Sequence, residues 1–287
     1  MNNNKKYFGI TLDPVHIGAG GYRLGAVDNT IVREPATDVP KIPGTSLAGV
    51  IRAFADIIKK EDNNKEDNNK KFKNIDIETV FGSDNRQGIL RFYDAQIIFF
   101  PVSSSKGTVW ITTKDLLEYW FGEIKNTNLE KINIPEKVED KAYALKGIDN
   151  PIPLNLGWLL LDVEQFNHRK EITIPSKMKE FLKKIVMVSD KLFSHLVNDN
   201  LEVRTSVKID KDTGTAAEGA LFTYEAISRG TILGFEINID CRNNNNSNIE
   251  PLVENTFTYL ELIGIGGLGT RGFGRVKILK QNDSQQS

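Results

Sequence analysis

The densest group of residues able to do chemistry is GIGGLGTRGFGR at 264–275. Six glycines fall between positions 264 and 274, with Arg271 and Arg275 among them. The letters G-x-G-x-x-G at 264–269 match a dinucleotide fingerprint. That site needs a strand before it, a helix after it and an acidic residue about 20 positions on. Here a helical pattern precedes and a strand pattern follows, so the dinucleotide reading fails on context. A helix end and a turn would use one or two glycines. The surplus implies backbone closely approached by another group, and bare N–H groups beside arginines suit a phosphate. Gly266, Gly267, Gly269, Arg271 and Gly272 are the candidates.

A second glycine-rich segment, HIGAGGYRLGAVDNTIVRE (16–34), holds His16, Gly18, Gly20 and Asp28. Asp28-Asn29 is favourable turn chemistry, and for a single loop aspartate a turn is the ordinary role. A single histidine is likewise more often structural than catalytic. His168 and His195 are distant in sequence and Cys241 is the only cysteine, so no zinc-ligand spacing is present. The third candidate is KIPGTSLAGVIR (41–52), where Lys41, Thr45 and Ser46 stand at a helix N-terminus and Arg52 follows one to two turns on. Free N–H groups and the helix dipole favour an anion there, and Thr45 or Ser46 is placed to cap the helix. No G-x-S-x-G, P-loop or H-E-x-x-H pattern occurs.

The elements that must position these groups are legible in outline. KKYFGITL (5–12) reads as a first strand, and Leu47, Val50, Ile51, Phe54, Ile57 and Ile58 give the next segment a helical apolar face. The charged, Asn-rich stretch 61–74 reads as a surface insertion without apolar area to bury. A strand is expected over 88–100, a short helix over 114–121 and an irregular insertion to about 155. A buried strand is expected over 157–166 and a helix over 176–197. EVRTSVKID (202–210) and AEGALFTYEAIS (217–228) flank KDTGTA and read as a β-hairpin. A strand over 231–240, a helix over 250–264 with Pro251 in its first turn and a last strand close the pattern. Two strand–helix–strand halves predict an α+β, ferredoxin-like (RRM-like) core with helical and hairpin insertions.

Composition narrows the function. The chain has 287 residues, 39% of them hydrophobic, and a formal net charge of -1. That balance argues against free, nonspecific nucleic-acid binding, although residues 1–60 and 262–287 each carry a positive excess. No apolar run approaches the ~20 residues of a membrane span, and cytoplasmic residence is the default expectation.

Taken together, HIGAGG (16–21), LGAVDNTIVREPATDVPKIPGTSLAGVIR (24–52), FGSDNRQGILRFYDAQIIFFPVSSSKGTVWIT (81–112), VKIDKDTGTAAEGALFTYEAISRGT (207–231) and GIGGLGTRGFGRV (264–276) resemble the RAMP superfamily of CRISPR proteins. The similarity is greatest to the repeated backbone subunit of type III complexes, with the III-B (Cmr) version favoured over III-A (Csm). The resemblance implies one RAMP domain over 1–287, with a loop insertion at 61–80, a lid-like insertion at 113–156 and a thumb hairpin at 203–222. It implies a filament of identical copies on a guide RNA, with other type III effector subunits, cleaving a paired target RNA at steps of about six nucleotides where the thumb unstacks a base. By that resemblance Asp28 is the cutting residue, with Mg²⁺ or Mn²⁺ held jointly with RNA phosphate. His16, Gly18, Gly20, Lys41, Thr45, Ser46, Arg52, Lys208, Thr213, Gly266, Gly267, Gly269, Arg271 and Gly272 are implied to meet RNA. A non-catalytic scaffold is the alternative. A free guide-processing nuclease is a third reading, with His16 its only nearby acid–base candidate.

Overall fold

The alternating KKYFGITL stretch lies in β1 (Asn2–Thr11) of the computed structural model. The structure describes residues 2–20, 27–65, 71–122, 129–136, 141–148, 153–166, 169–209, 216–240 and 248–279. After β1 come β2 (Lys41–Ile42), α1 (Gly44–Asn63), α2 (Ile77–Phe81), β3 (Leu90–Phe92) and β4 (Ala95–Val102). A long insertion follows, made of β5 (Val109–Thr112), α3 (Lys114–Phe121), β6 (Leu129–Pro135), β7 (Ala142–Lys146), β8 (Pro153–Leu156), β9 (Leu159–Glu164) and β10 (Arg169–Pro175). It ends with α4 (Ser176–Lys179), β11 (Ile185–Met187) and α5 (Asp190–Asp199). The hairpin β12 (Glu202–Ile209) and β13 (Ala216–Ala226) comes next, then β14 (Ile232–Asp240), α6 (Ile249–Leu262) and β15 (Val276–Ile278).

Strand order β15-β1-β14-β4, antiparallel throughout, is the ferredoxin-like core. The sheet then runs on through β5, β11, β7, β9 and β8. Successive strand side chains face opposite ways, so β1 and β14 serve two cores at once. On one face, Leu47, Ile51 and Phe54 of α1 and Phe257 and Leu260 of α6 pack on Phe235, Ile237 and Ile239. On the other, Phe8, Ile10, Ile98 and Phe99 lie under Trp120 and Phe121 of α3 and the isoleucines of the β6–β10 ribbon. Each fully buried side chain of this size contributes roughly 1.5–3 kcal/mol.

Four expectations are corrected. The segment 61–74 does bury apolar surface: Phe72 is 5% exposed, and its N–H donates to the buried carboxylate of Asp62 at 2.8 Å. The stretch to about 155 is not irregular but holds β6, β7 and β8: β6 and β7 pair with β10 and β11, too far along the chain for local pattern to reveal, while β8 forms a tight hairpin with the adjacent β9. The 157–166 strand is not buried, because β9 stands near the edge of the sheet and leaves Trp158 93% and Leu160 66% exposed. The 176–197 helix is interrupted by β11, drawn into parallel pairing with β5.

The start of α1 also departs from expectation. Pro43 precedes the helix and neither Thr45 nor Ser46 caps it. Instead the Gly44 N–H donates to Asp94 Oδ1 at 2.7 Å, and Asp94 Oδ2 pairs with Lys41 at 2.6 Å. Only glycine permits this approach, since a Cβ on Gly44 would lie 2.4 Å from the Phe92 carbonyl oxygen. Partial burial pushes the Asp94 carboxyl up, but bonds from Lys41 and Gly44 outweigh it and hold the group below the usual range. Asp94→Ala should therefore lower unfolding free energy by about 1 kcal/mol in urea melts at pH 7. A depressed folded pKa contributes stability above the unfolded value, near ~4, and loses it as pH falls through the folded one. The gap between wild type and variant should accordingly close in acid.

Candidate catalytic loop and nucleic-acid interface

Alternation along β13 puts Thr223 and Glu225 on one face and Tyr224 on the other. The loop after β1 docks along the edge of β13 opposite β12, with Asn29 bridging Tyr224 in parallel. Asp28 Oδ2 accepts from the Thr223 N–H at 2.9 Å and from its hydroxyl at 2.8 Å. The Asp28 N–H donates to the same hydroxyl oxygen at 2.9 Å. Asn29 continues the docking, donating its N–H to the Thr223 carbonyl at 3.0 Å and accepting from the Glu225 N–H at 3.0 Å. Asp28 is exposed, and among the described residues only its Oδ2 is engaged. Bonds from the Thr223 N–H, and then from its hydroxyl, hold the Asp28 carboxyl below the usual carboxylate range. It is an anion at neutral pH.

The two glycine-rich segments meet at His16. Its ring is buried, 7% exposed, and Nδ1 lies 2.7 Å from the Glu225 carbonyl oxygen. A carbonyl can only accept, so Nδ1 carries the proton. The ring stands edge-on to Tyr224 at 5.8 Å between centroids. The His16 carbonyl in turn accepts from the Gly267 N–H at 2.9 Å. The glycines of the C-terminal loop then divide by cause. A Cβ on Gly266 would lie 2.4 Å from the His16 carbonyl oxygen, and one on Gly274 would lie 2.5 Å from that of Ile265. The fold itself requires these two. Gly272 closes the turn Gly269–Arg271 at a left-handed φ of 79°. Gly267 and Gly269 have no such demand: a Cβ would meet nothing nearer than 3.5 Å and 4.0 Å respectively.

His16, Gly18, Asp28, Gly266 and Gly267 are thus gathered around the base of the β12–β13 hairpin. Gly18 bridges Ile31, and Gly20 takes a left-handed φ of 71° in open space. Gly269, Arg271 and Gly272 are exposed on the adjoining turn. The α1 group behaves differently. Lys41 is paired with Glu34 at 2.9 Å as well as with Asp94, and Arg52 donates to the Gly82 carbonyl at 2.9 Å. Thr45 is exposed and Ser46 half-buried. The helix N-terminus therefore already carries a carboxylate, Asp94, at Gly44. Lys208 contributes backbone to β12, and Thr213 lies outside the described residues.

Sequence reasoning missed Thr223, Glu225 and Arg33. The Arg33 guanidinium donates to a Glu225 carboxylate oxygen, to the Ile31 carbonyl at 3.1 Å and to Asn198 Oδ1 at 3.1 Å. The one available signal was the alternation in FTYEA, which predicts that Thr223 and Glu225 share a face but not what covers them. Arg204, also missed, lies 4.6 Å from the ring centroid of Phe273. It fixes the glycine turn against β12. Among the described residues no cluster of three or more His, Cys, Asp or Glu could hold a metal. Asp28 fits a divalent cation only in the mode in which one carboxylate shares the ion with substrate phosphates.

A ferredoxin-like core with a hairpin at whose base two glycine-rich segments converge defines the class of fold, and comparison makes the class specific. The RAMP superfamily profile matches residues 10–277. The chain belongs to the RAMP superfamily. It is 31% identical over 288 residues to the CRISPR system Cmr endoribonuclease Cmr4 of Pyrococcus furiosus, covering 93% of this chain and 92% of that protein. Its fold is similar to a chain in the cryo-EM structure of the type III-B Cmr-beta complex bound to cognate target RNA, with TM-score 0.69, 19% identity and 96% of each chain covered. It is also similar to the crystal structure of oligomeric Cmr4 from Pyrococcus furiosus, with TM-score 0.61, 22% identity and 96% and 97% coverage. These relatives are on the Cmr side, the type III-B side that the motifs favour. No described helix is long and apolar enough to cross a membrane.

The glycine assignment is testable by stability alone. Gly266→Ala should destabilise by about 1–3 kcal/mol, through left-handed strain and collision with His16. Gly267→Ala should stay within about 0.5 kcal/mol of wild type in the same thermal unfolding measurement.

Proposed function

We propose that this chain is the repeated backbone subunit of a type III-B CRISPR effector complex, binding guide RNA and cleaving the paired target RNA through Asp28. The observation that carries the reading is the seating of Asp28 on Thr223. It fixes an exposed anion at the root of a projecting hairpin, in a chain 31% identical to a Cmr endoribonuclease. Its partners on this reading are guide RNA, target RNA, further copies of itself and other Cmr subunits. The uncrowded backbone of Gly269, with exposed Arg271, faces the guide phosphates on this reading.

The chemistry needs little from the protein. The target's own 2′-hydroxyl gives its proton to solvent water and its oxygen attacks the adjacent phosphorus; the bond to the 5′-oxygen breaks and that oxygen takes a proton from water, leaving a 2′,3′-cyclic phosphate and a 5′-hydroxyl. What limits that displacement is bringing 2′-oxygen, phosphorus and 5′-oxygen into line, which the hairpin does by splaying the strand. The depressed pKa makes Asp28 a weak proton acceptor at neutral pH, so its contribution is fixed negative charge rather than proton abstraction. That charge suits Asp28 to hold Mg²⁺ or Mn²⁺ jointly with an RNA phosphate. The ion, when bound, would neutralise charge developing on the phosphoryl oxygens. His16 is locked by its Glu225 bond and burial, which supports a positioning role over acid–base catalysis.

Asp28→Ala in a complex reconstituted with guide RNA should abolish cleavage of a matched target while leaving guide retention unchanged. Undiminished cleavage would falsify the assignment, and loss of both activities would make Asp28 an assembly residue. Chelation by EDTA should stop wild-type cleavage, with recovery on adding Mg²⁺ or Mn²⁺; cleavage that persists in EDTA would remove the ion from the mechanism.

A further inference from the structure

We infer that Thr223 is the positioning residue for Asp28, coupling the carboxylate's orientation to the hairpin that engages the target. This rests on the reading of Asp28 as the cutting residue.

Asp28 and Thr223 are 195 residues apart in sequence, yet three hydrogen bonds of 2.8–2.9 Å join them. The Thr223 hydroxyl makes two of these. It accepts from the Asp28 N–H and donates to Asp28 Oδ2, so it fixes the backbone and the carboxylate of Asp28 together. The Thr223 N–H gives Oδ2 its second donor. With Oδ2 held twice, rotation of the carboxylate about its own axis is restrained and Oδ1 keeps one direction. An exposed aspartate without such a clasp would sample several rotamers.

The clasp also sits where the hairpin parts from the core. Glu225 and Ala226 anchor β13 in the core, at 8% and 0% exposure. Immediately outward of Thr223, Phe222 and Leu221 are 42% and 62% exposed. Thr223 is therefore the step at which the hairpin leaves the body of the protein. Any bending of the hairpin by a bound duplex is transmitted to Asp28 through this residue. A serine keeps the hydroxyl, whereas a valine keeps the branched shape and strand preference but removes it. The two substitutions separate the hydrogen bonds from the packing.

The experiment compares wild type, Thr223→Val, Thr223→Ser and Asp28→Ala in complexes reconstituted with guide RNA. It reads guide retention, target affinity and single-turnover cleavage separately. Thr223→Val should slow cleavage on the order of 10–100-fold, the effect of a small misplacement of a reacting group. Guide retention and target affinity should stay at wild-type values, and Thr223→Ser should restore most of the rate. Wild-type cleavage by Thr223→Val alongside an inactive Asp28→Ala overturns the role of Thr223 and leaves Asp28 as assigned. Loss of guide retention in Thr223→Val, or a serine variant as slow as valine, makes the residue structural and also overturns it. Cleavage that survives Asp28→Ala defeats the underlying assignment instead, whatever Thr223→Val does.

Discussion

Every polar group of Glu225 is engaged by the one segment after β1, between His16 and Arg33, and the site depends on that residue. Its N–H donates to the Asn29 carbonyl, and its own carbonyl accepts from His16. One carboxylate oxygen meets Arg33 and the other accepts from the Ile31 N–H at 3.2 Å. The Arg33 and Glu225 side chains are each only 10% exposed. A pair buried to that degree adds little net stability, because desolvation offsets attraction, but removing one partner strands a charge at about 3–5 kcal/mol. The pair is therefore better understood as a registry device. It admits only one way of laying the residue 28–33 loop on β13, and that register delivers Asp28 to Thr223.

The same economy governs the glycines. A loop that must pass within contact distance of the His16 carbonyl can carry no side chain at Gly266, and the crossing with Ile265 excludes one at Gly274. Those positions explain how the C-terminal loop reaches the first loop. They do not explain Gly267 and Gly269, which the protein leaves uncrowded. The surplus noticed in the sequence is real but smaller than six residues, because much of it is consumed by protein–protein contact within the chain. What remains is uncrowded backbone at Gly269, adjoining exposed Arg271, since the Gly267 N–H is already given to the His16 carbonyl.

How much of this was legible in the sequence follows from the range of the interactions. The core halves were readable because each uses a local period: α1 and α6 repeat apolar residues at helical spacing, and β1 and β14 bury one or both faces. Gly264 as a helix end was also readable, since a left-handed φ of 91° after α6 is a local requirement. The insertion was not, because β6 with β10 and β5 with β11 are pairings between distant segments with no signature of their own. The α1 cap failed for the same reason: Asp94 lies 50 residues from Gly44. At the site, the loop of Asp28 could be found and its partner could not. Nothing in FTYEA distinguishes a strand that receives such a loop from any other alternating strand.

The charge balance closes the argument on the proposed reading. Cations that looked available for phosphate are mostly internal ties: Lys41 to Glu34 and Asp94, Arg52 to Gly82, and Arg275 to Asp13. With these three committed internally and a net charge of -1, a single copy would hold RNA weakly and with shallow salt dependence. That suits a subunit that repeats along one guide. Copies linked on the same strand multiply modest contacts into stable binding, because each later contact forms at high effective concentration. A strongly basic subunit would instead coat any RNA without a partner copy beside it. A net charge of -1, with contact carried by backbone at Gly269 beside Arg271, makes binding conditional on assembly. The carboxylate held by Thr223 then meets a strand only where a filament has already placed one.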